Sequence, residues 1–465
     1  MSHPSRREIL TALAATGASA LAARRLLGAE PPSATPPAGA PLLPPADRQS
    51  AIDRLLAYFA TTAPQLLRPP QGILTHPSIA PSLPGKEYST SLWDWDTLWT
   101  TRGLFRFARL SREPLHARIV EHARGSLLNF LDHQSPEGRL PIMLSVTDPD
   151  TFGCTQPGPT PNPKNQAKPV FAQLALLTAE ESGDVAWLAP HFDRLLKFHD
   201  SWTANNQSQV ALLVWGDDVA IGNDNDPTTF GRPFFSSANL LLNTLFYQDL
   251  LAAAELARRL GRAADAQRLA RQAKTLGAAL LEHCWDPRDR FFYTVDVQCV
   301  DRRAELIPAS IKRGMDMSWH CLPLKAQVFT GFLPLWCGLA TARQAADLVQ
   351  ANYLADQRFR GDWGVRSLSA LEPMYGLEFS SNPSNWLGPV WIIVDYFVWK
   401  ALGNYGFKAE ARELADKTLR LLAADLAAHG SLNEYYHPDT GAALSHRGFL
   451  DWNLLVLEMI GNADA

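Results

Sequence analysis

The chain has 465 residues, of which 46% are hydrophobic and 19% charged, a composition typical of a globular protein and too apolar for a disordered one. Its 43 basic and 47 acidic residues give a net charge of −4, and no Lys/Arg cluster beyond the amino terminus resembles a phosphate-binding stripe, which excludes nucleic acid as an expected partner. Five widely spaced cysteines without any C-x-x-C fit neither a disulfide framework nor a zinc site, so we expect buried thiols at Cys154, Cys284, Cys299, Cys321 and Cys337.

The amino terminus has the pattern of an export signal rather than of a folded element. Arg6 and Arg7 precede a weakly apolar stretch that Arg24 and Arg25 interrupt, too short to span a membrane. Paired arginines before such a stretch favour a twin-arginine signal over residues 1–30, although a basic amphipathic helix is the alternative. We expect a periplasmic or extracellular protein that meets the export machinery only transiently. Residues 31–46, PPSATPPAGAPLLPPA, predict an extended linker.

Residues 47–465 show a helical period throughout and predict one domain. Residues 389–402 are apolar nearly all round, whereas 407–428 carry one apolar stripe of Leu414, Thr418, Leu421 and Leu422. The first helix must therefore be enclosed and the second covers it. The same alternation links 237–260, with Ser236 or Ser237 as N-cap, to 263–284. Twelve such segments predict an all-α (α/α)6 double ring with short hairpins such as 291–297: 47–66, 97–111, 115–134, 167–182, 185–203, 237–260, 263–284, 324–338, 341–353, 389–402, 407–428 and 449–461.

Four polar segments lie just before helices that the pattern makes inner ones: 88–99, 215–233, 361–391 and 432–453. A helical-repeat scaffold would require a consensus at a fixed period, and we find none. Each polar segment mixes Trp or Tyr with Asp, Glu, Asn or Arg. The 14 tryptophans and ten tyrosines of the chain are explained either by a large aromatic core or by a cleft that stacks on the C–H faces of a ligand such as a sugar.

The segment WGDDVAIGNDNDPTTFGRP, 215–233, concentrates carboxylates behind Trp215, which is itself a candidate contact of the substrate. Calcium binding is disfavoured because Asp224, Asn225 and Asp226 are adjacent rather than alternating, and no His or Cys is near enough for zinc, so no metal or cofactor is expected. Cleavage of a glycosidic bond needs one protonated carboxyl and one carboxylate. Crowded carboxylates favour the protonated form, which makes Asp224 the candidate acid, with Asp226 and Asp218 as substitutes, and Glu434 the candidate base.

These motifs resemble glycoside hydrolase family 63, in the branch of mannosylglycerate and glucosylglycerate hydrolases, over about residues 50–461. GNDNDP at 222–227 is similar to the motif of the general acid, NEYYHPDTG at 433–441 to that of the general base, and SNWLGPVW at 384–391 to a stretch lining the sugar subsite. WDWD (93–96), NQAKPVFAQ (165–173) and GVRSLS (364–369) resemble further family segments. The resemblance implies an (α/α)6 barrel, an inverting mechanism, Asp224 as acid, Glu434 as base, and sugar contacts from Trp95, Asp96, Trp386 and Trp391.

The expected substrate is a small α-glucoside or α-mannoside, with glucosylglycerate or mannosylglycerate as the best match and a trehalase-like or oligosaccharide α-glucosidase activity as the alternative. Candidates for holding the aglycone are Tyr88, Arg232, Arg366 and Tyr375, although an arginine could equally hold Asp226 or Glu372. A sugar epimerase with the same double ring is the rival enzyme class; it would use histidines, and His320 and His437 are the two singled out near the polar segments. A non-catalytic sugar binder is the third class.

Overall fold

Twelve α-helices follow one another in pairs along the part of the chain that the computed structural model describes, residues 43–298, 320–355, 357–378 and 384–461. Their bounds agree with the twelve expected segments to within a few residues, apart from the fifth, eighth and twelfth, which begin later. They are α1 Pro45–Thr62, α2 Asp94–Ser111, α3 His116–Asp132, α4 Phe171–Ser182, α5 Phe192–Asn206, α6 Leu240–Arg259, α7 Ala263–His283, α8 Leu333–Trp336, α9 Ala342–Leu348, α10 Ile392–Asn404, α11 Lys408–His429 and α12 Val456–Gly461.

The two kinds of helix differ in how much of their surface is enclosed. Helix α2 buries residues on every face, and nine of the 13 residues of α10 are buried. Helix α7 instead buries a single stripe of small and aliphatic residues and leaves its opposite face to solvent. In α11 the four residues of the predicted stripe are all buried. The pattern of apolar residues thus separates inner from outer helices, since a helix needs apolar residues all round only when protein surrounds it.

The inner helices close into a ring. Helix α2 packs on α4, α4 on α6, α6 on α8, and α8 on α10. Helix α10 then packs on the 3-10 turn Trp452–Leu455 and on α12, which both return to α2. In the outer layer α1 lies against α11 and α2 and so joins the two ends. This is the (α/α)6 double ring, and the predicted fold class is confirmed.

Short strands form small sheets in the connections between helices. They pair as β1 Leu67–Arg68 with β2 Ser78–Ile79, β3 Ser91–Trp93 with β4 Met143–Ser145, β6 Trp285–Asp286 with β7 Phe291–Phe292, and β10 Tyr435–Tyr436 with β11 Ala443–Ser445. A three-stranded sheet joins β5 Ser237–Ala238, β8 Val295–Asp296 and β9 Leu322–Pro323. The pair that matters for the site is β10–β11, whose register sets Tyr435 opposite Ser445.

Two further predicted helix starts differ from the structure, and each for a local reason. Helix α10 begins at Ile392 rather than at Pro389, because the N–H and C=O of Val390 pair with Tyr436 at 2.8 and 2.9 Å and keep that stretch extended. Helix α6 is capped by Asn239, whose side chain accepts from the N–H of Leu241 at 2.8 Å, so Ser236 and Ser237 are not caps.

The amino-terminal predictions mostly concern residues 1–42, which lie outside the described residues. Helix α1 begins at Pro45, so the last two residues of the predicted linker are helical. Among the helices described here, none combines the length and apolarity needed to span a membrane. Cys154 and Cys284 are buried free thiols and Cys337 is a half-buried one.

Candidate functional site

The loop that carries Asp224 is fixed from two sides. On one side the carboxamide of Asn165 accepts from Gly216 N at 2.9 Å and donates to the carbonyls of Asp217 and Val219 at 3.1 and 3.0 Å. On the other side Asn225 accepts from Trp386 N at 2.7 Å. The segments 165–168 and 384–391, which resemble family motifs, thus act together to hold the acid motif.

Asp226 organises this loop from the inside. Its fully buried carboxyl group accepts hydrogen bonds from Asn223 Nδ2 at 2.6 Å, Asn239 Nδ2 at 3.0 Å, and both the N–H and the hydroxyl of Thr228 at 2.7 Å. Its oxygens are occupied by protein donors and are therefore not available to a metal or a substrate. Asp218 accepts from Gly231 N at 2.6 Å and also serves the loop backbone. Asp224, half-buried between two buried asparagines, is the carboxyl group of this segment whose charge acts on Glu434.

Glu434 stands at the start of the β10–β11 hairpin, with only 4% of its surface exposed. Its N–H donates to Ser445 O at 3.0 Å, and Trp452 Nε1 donates to its carbonyl at 3.2 Å. Its carboxylate forms a salt bridge with His446. Burial raises the pKa of Glu434 above the usual 4.5, the hydrogen bond and charge of His446 oppose that rise, and the negative charges of Asp224 and Glu87 add to it.

Tyr88 lies within the electrostatic reach of all these carboxyl groups. Burial raises the pKa of its hydroxyl, and the charges of Glu434, Asp96, Glu87 and Asp224 raise it further. Tyr88 adopts a left-handed backbone conformation, φ +63°, and its ring meets that of His446 edge-on at 5.3 Å between centroids. The structure therefore brings Tyr88, Asp96, Asp224 and Glu434, predicted from three separate stretches of sequence, to one place.

Asp96 lies in the first turn of α2 and forms a hydrogen bond with the carboxyl group of Asp451. Both side chains are buried, and Asp451 also accepts from Thr100 Oγ1 at 2.7 Å. Two carboxyl groups in a hydrogen bond must share a proton, because two carboxylates have none to donate. Burial accordingly raises the pKa of Asp96 to about 7.

Lys168 connects the inner helix to the acid loop. Its ammonium group, 2% exposed, pairs with the fully buried Asp94 at 3.0 Å and donates to Ala220 O at 3.2 Å. The same Nζ lies 5.5 Å from the centre of the Trp95 ring, a cation–π arrangement. Burial raises the pKa of Asp94, and the charge of Lys168 opposes that rise.

Aromatic rings form the floor beneath these groups. Trp386 stacks on Trp391 at 3.9 Å between centroids, and Trp391 stacks on Tyr435 at 4.5 Å. Trp95 packs against Trp386 and Trp452 at 6.2 and 5.9 Å. Gly222 approaches the Trp95 ring so closely that a Cβ there would lie 3.1 Å from it. Trp95 and Trp386 thus underlie the acid loop.

Three of the predicted sugar contacts, Trp215, Trp386 and Trp391, are buried among other side chains; Trp386 is 1% exposed and stacks on both Trp391 and Phe329. Trp391 is fully buried between Trp386 and Tyr435, and its Nε1 donates to Asn385 O at 2.9 Å. Trp215 is 2% exposed and packs on Trp202 at 5.8 Å. None of the three offers a free face to a sugar in this conformation, because a ring with other rings or helices packed against it has no free face for a ligand.

Of the four predicted aglycone contacts, Tyr88 lies in the site, whereas Arg232, Arg366 and Tyr375 have other partners. Arg232 forms a salt bridge with Asp296 in β8. Arg366 pairs with Asp439 at 2.5 Å and donates to the carbonyl of Arg360. Burial raises the pKa of Tyr375, and a hydrogen bond with Arg366 opposes that rise. Neither arginine holds Asp226 or Glu372, the partners considered from sequence.

Sequence reasoning missed His446 and gave no role to Asp451. His446 stands within the polar segment 432–453, yet His320 and His437 were singled out instead. His320 is exposed, and the Nδ1 of His437 accepts from the N–H groups of Asp439 and Thr440 at 3.1 and 3.3 Å, which is a turn contact. The pair Asp451–Trp452 repeats the Asp94–Trp95 dipeptide at the start of an inner helix, and this repetition was the available signal. In the described segments no three His, Cys, Asp or Glu residues are grouped so that they could hold a metal ion.

Comparison with known proteins shows the family to which the chain belongs. Residues 92–450 match the family described as the mannosylglycerate hydrolase MGH1-like glycoside hydrolase domain, which covers more than half of the chain. The chain belongs to this family. The match includes both polar segments that carry Asp224 and Glu434, and it confirms the resemblance that the motifs indicated.

The sequence of the chain is similar to those of named relatives over part of their length. The chain is 32% identical over 142 residues to the mannosylglycerate hydrolase of Thermus thermophilus, an alignment covering 29% of this chain and 31% of the relative. It is 32% identical over 121 residues to mannosylglycerate hydrolase MGH1 of Selaginella moellendorffii, covering 25% and 22%. The matched regions thus span less than a third of these relatives.

Solved structures share the fold over much more of the chain. The GH63 mannosylglycerate hydrolase of Thermus thermophilus, in complex with glucose, superposes with a TM-score of 0.61 at 19% identity and covers 89% of this chain and 99% of the other. Neutral trehalase Nth1 of Saccharomyces cerevisiae gives 0.53 at 14% identity, covering 83% and 74%. At these identities the likeness concerns the (α/α)6 architecture.

Proposed function

We propose that the chain is an inverting, exo-acting α-glycosidase that hydrolyses a small α-mannoside or α-glucoside, with mannosylglycerate as the first candidate and glucosylglycerate as the second. The observation that carries the proposal is that Asp224 and Glu434, 210 positions apart, lie close enough for the charge of Asp224 to act on Glu434 and for both charges to act on Tyr88. Family membership adds to it, because the family is one of glycoside hydrolases.

In this proposal Asp224 donates its proton to the glycosidic oxygen while Glu434 takes a proton from the attacking water. The electron pair of the breaking C–O bond leaves with the aglycone oxygen, and the water oxygen forms the new bond from the opposite face, so the anomeric configuration inverts. The mutual repulsion of the two carboxyl groups favours a state with one proton between them, which is the state that acid–base catalysis requires. Trp95 and Asp96 are the proposed contacts of the glycone.

The arrangement also supports a bell-shaped pH dependence. Because burial raises the pKa of Glu434 above 4.5, kcat/KM is expected to fall on acidification as the base becomes protonated, and to fall again at higher pH as the acid loses its proton. Hydrolysis initial rates measured from pH 3 to pH 9 test this. A single rising limb would exclude Asp224 as the proton donor.

The decisive experiment screens the protein against mannosylglycerate, glucosylglycerate, trehalose and short α-glucosides, and follows the fresh product of the best substrate by proton NMR. A β anomer released first from an α-glycoside supports inversion, and release of the α anomer refutes the mechanism. Glu434→Gln is expected to abolish turnover, with Gln65→Glu on the exposed surface as a control for the substitution itself. Binding without turnover by the unmodified chain would favour a sugar-binding protein, and interconversion of free aldoses would favour an epimerase.

We also propose that residues 1–30 direct export through the twin-arginine route. Arg6 and Arg7 before a weakly apolar stretch support this. Fusion of residues 1–46 to a reporter that folds before transport tests it. Loss of export when both arginines become lysines is the expected result, and unchanged export would refute the proposal.

A further inference from the structure

The candidate base has several acidic groups near it. Glu434 is influenced by the negative charges of Asp224 and Glu87, and it acts in turn on Tyr435 and Asp451. Lys168 and Arg366, cations in neighbouring segments, pair with Asp94 and Asp439. A carboxylate in such surroundings tends to take up a proton, and a protonated Glu434 could not activate water. Something in the site must oppose that tendency.

His446 is placed to do this by the hairpin that carries Glu434. The β10–β11 register sets Ser445 opposite Tyr435, and Glu434 N donates to Ser445 O at 3.0 Å, so the next residue comes beside the Glu434 carboxylate. His446 has a left-handed backbone, φ +40°, a conformation that costs a residue with a Cβ on the order of 1 kcal/mol. Its Nδ1 contacts Glu434 Oε2 and lies 3.0 Å from Ser445 Oγ.

The surroundings of the imidazole fix its orientation. The ring of Tyr88 packs edge-on against it at 5.3 Å, and Phe449 supports Tyr88 at 6.1 Å. A carboxylate has only acceptors, so the nitrogen facing Glu434 must carry the hydrogen. Tyr88, also left-handed at φ +63°, is itself within reach of the charges of both Asp224 and Glu434. Two strained residues therefore meet over the proposed base.

We propose that His446, as an imidazolium, is the positioning residue that holds the Glu434 carboxylate in its charged form and oriented for activating water. This inference rests on the proposed function for its catalytic meaning, but the ion pair itself can be tested without turnover. The direction of the pKa shifts agrees: the hydrogen bond to Glu434 raises the pKa of His446, and His446 opposes the burial that raises the pKa of Glu434. Glu87 faces both groups and raises both pKa values.

The first test needs no substrate. The ring nitrogens of 15N-histidine-labelled protein are followed by NMR from pH 5 to pH 9, with the His446 signal assigned by its disappearance in His446→Gln. We expect His446 to titrate above 6.5 in the unmodified chain and to move down toward 6.5 in Glu434→Gln, since the charged partner is then absent. An unshifted titration in Glu434→Gln overturns the inference, whether or not the chain proves to be a hydrolase.

The second test separates positioning from a merely structural role. In His446→Gln, kcat/KM is expected to fall about tenfold at pH 5 but less than about threefold at pH 8, because without the imidazolium the acidic limb moves up by about one pH unit. The matched control is His429→Gln, which removes a His–carboxylate pair of 2.6 Å to Asp425 on α11. In His429→Gln the acidic limb of the pH profile of kcat/KM should stay at the pH found for the unmodified chain. Equal losses at both pH values in His446→Gln, with unchanged circular dichroism, would refute the role.

Discussion

Replacement of Lys168 by methionine isolates the buried ion pair beneath the acid loop. The two side chains are 2% and 0% exposed and their charged atoms are 3.0 Å apart, so at an effective dielectric constant of about 20 their attraction is about 5 kcal/mol. Methionine fills a similar volume and carries no charge, so the variant avoids the cost of taking an ammonium group out of water, which offsets part of the lost attraction. We therefore expect a loss of about 3–5 kcal/mol in the free energy of unfolding at pH 8.

The loss should depend on pH in a defined direction. Without the ammonium group, burial still raises the pKa of Asp94 and the N–H groups of residue 168 and Trp95 still oppose that rise, so the pKa in the folded variant stands further above the usual 3.8 than in the unmodified chain. A group with a raised folded pKa makes stability fall as pH rises from its unfolded pKa to its folded one, by about 1.4 kcal/mol per pH unit. The deficit of the variant should thus be larger at pH 8 than at pH 5, because the loss of Lys168 raises the folded pKa of Asp94 further than burial already does in the unmodified chain.

Urea unfolding followed by tryptophan fluorescence at pH 5 and pH 8 measures this difference. The matched control is Lys325→Met, since Lys325 is 46% exposed and contacts Asp286 and Asp289 at 2.8 and 2.9 Å. That exposed set should contribute less than about 1 kcal/mol. A Lys168→Met deficit that is the same at both pH values, or no larger than that of Lys325→Met, would refute the reasoning.

Three other substitutions test other parts of the site. Asp224→Asn should lower kcat/KM at least about hundredfold with unchanged helical circular dichroism, whereas retained activity would move the acid elsewhere. Gly222→Ala places a methyl group 3.1 Å from the Trp95 ring, at φ +101°, and should raise KM. Its control is Gly183→Ala, at φ +66° with open space around it, which should lower the free energy of unfolding by about 1 kcal/mol without changing KM. Equal KM values in the two variants would exclude a role of the Trp95 contact in substrate binding. In Asp451→Asn the amide still accepts from Thr100 and donates to Asp96, so Asp96 no longer needs a proton of its own to form that hydrogen bond. The free energy of unfolding, which the raised pKa of Asp96 makes fall between pH 4 and pH 7 in the unmodified chain, should therefore fall less steeply in the variant when measured by urea unfolding. An equal fall in both proteins would show that the two carboxyl groups share no proton.

The helix pattern could be predicted because it is local. Whether a stretch such as α10 is apolar all round, or α7 on one stripe, is written in neighbouring residues and decides inner or outer position. The motifs around Asp224 and Glu434 were likewise visible as dense polar groups. The start of α10 was not, because Val390 is kept extended by pairing with Tyr436, 46 positions later.

The sequence could not show which side chains pair when they lie far apart along the chain. The Asp96–Asp451 and Lys168–Asp94 pairs each join distant segments, and neither residue type signals its partner. The predicted roles of Arg232 and Arg366 show the same limit, since an arginine near a site serves a ligand or a neighbouring carboxylate with equal chemistry. Burial misled the assignment of Trp391, whose motif position indicated a sugar contact although rings cover its faces.

Because the ring closes between α2 and the turn Trp452–Leu455, the cavity is assembled late in synthesis. Thr100 meets Asp451 across 351 positions of sequence, so a ribosome adding about 5–20 residues per second leaves the first half of the site without its counterpart for about 20–70 s. During that time the apolar surface of α2 that the final turn will cover is exposed to solvent and to other chains. Nascent molecules halted before residue 451 should accordingly depend on a chaperone that masks this surface.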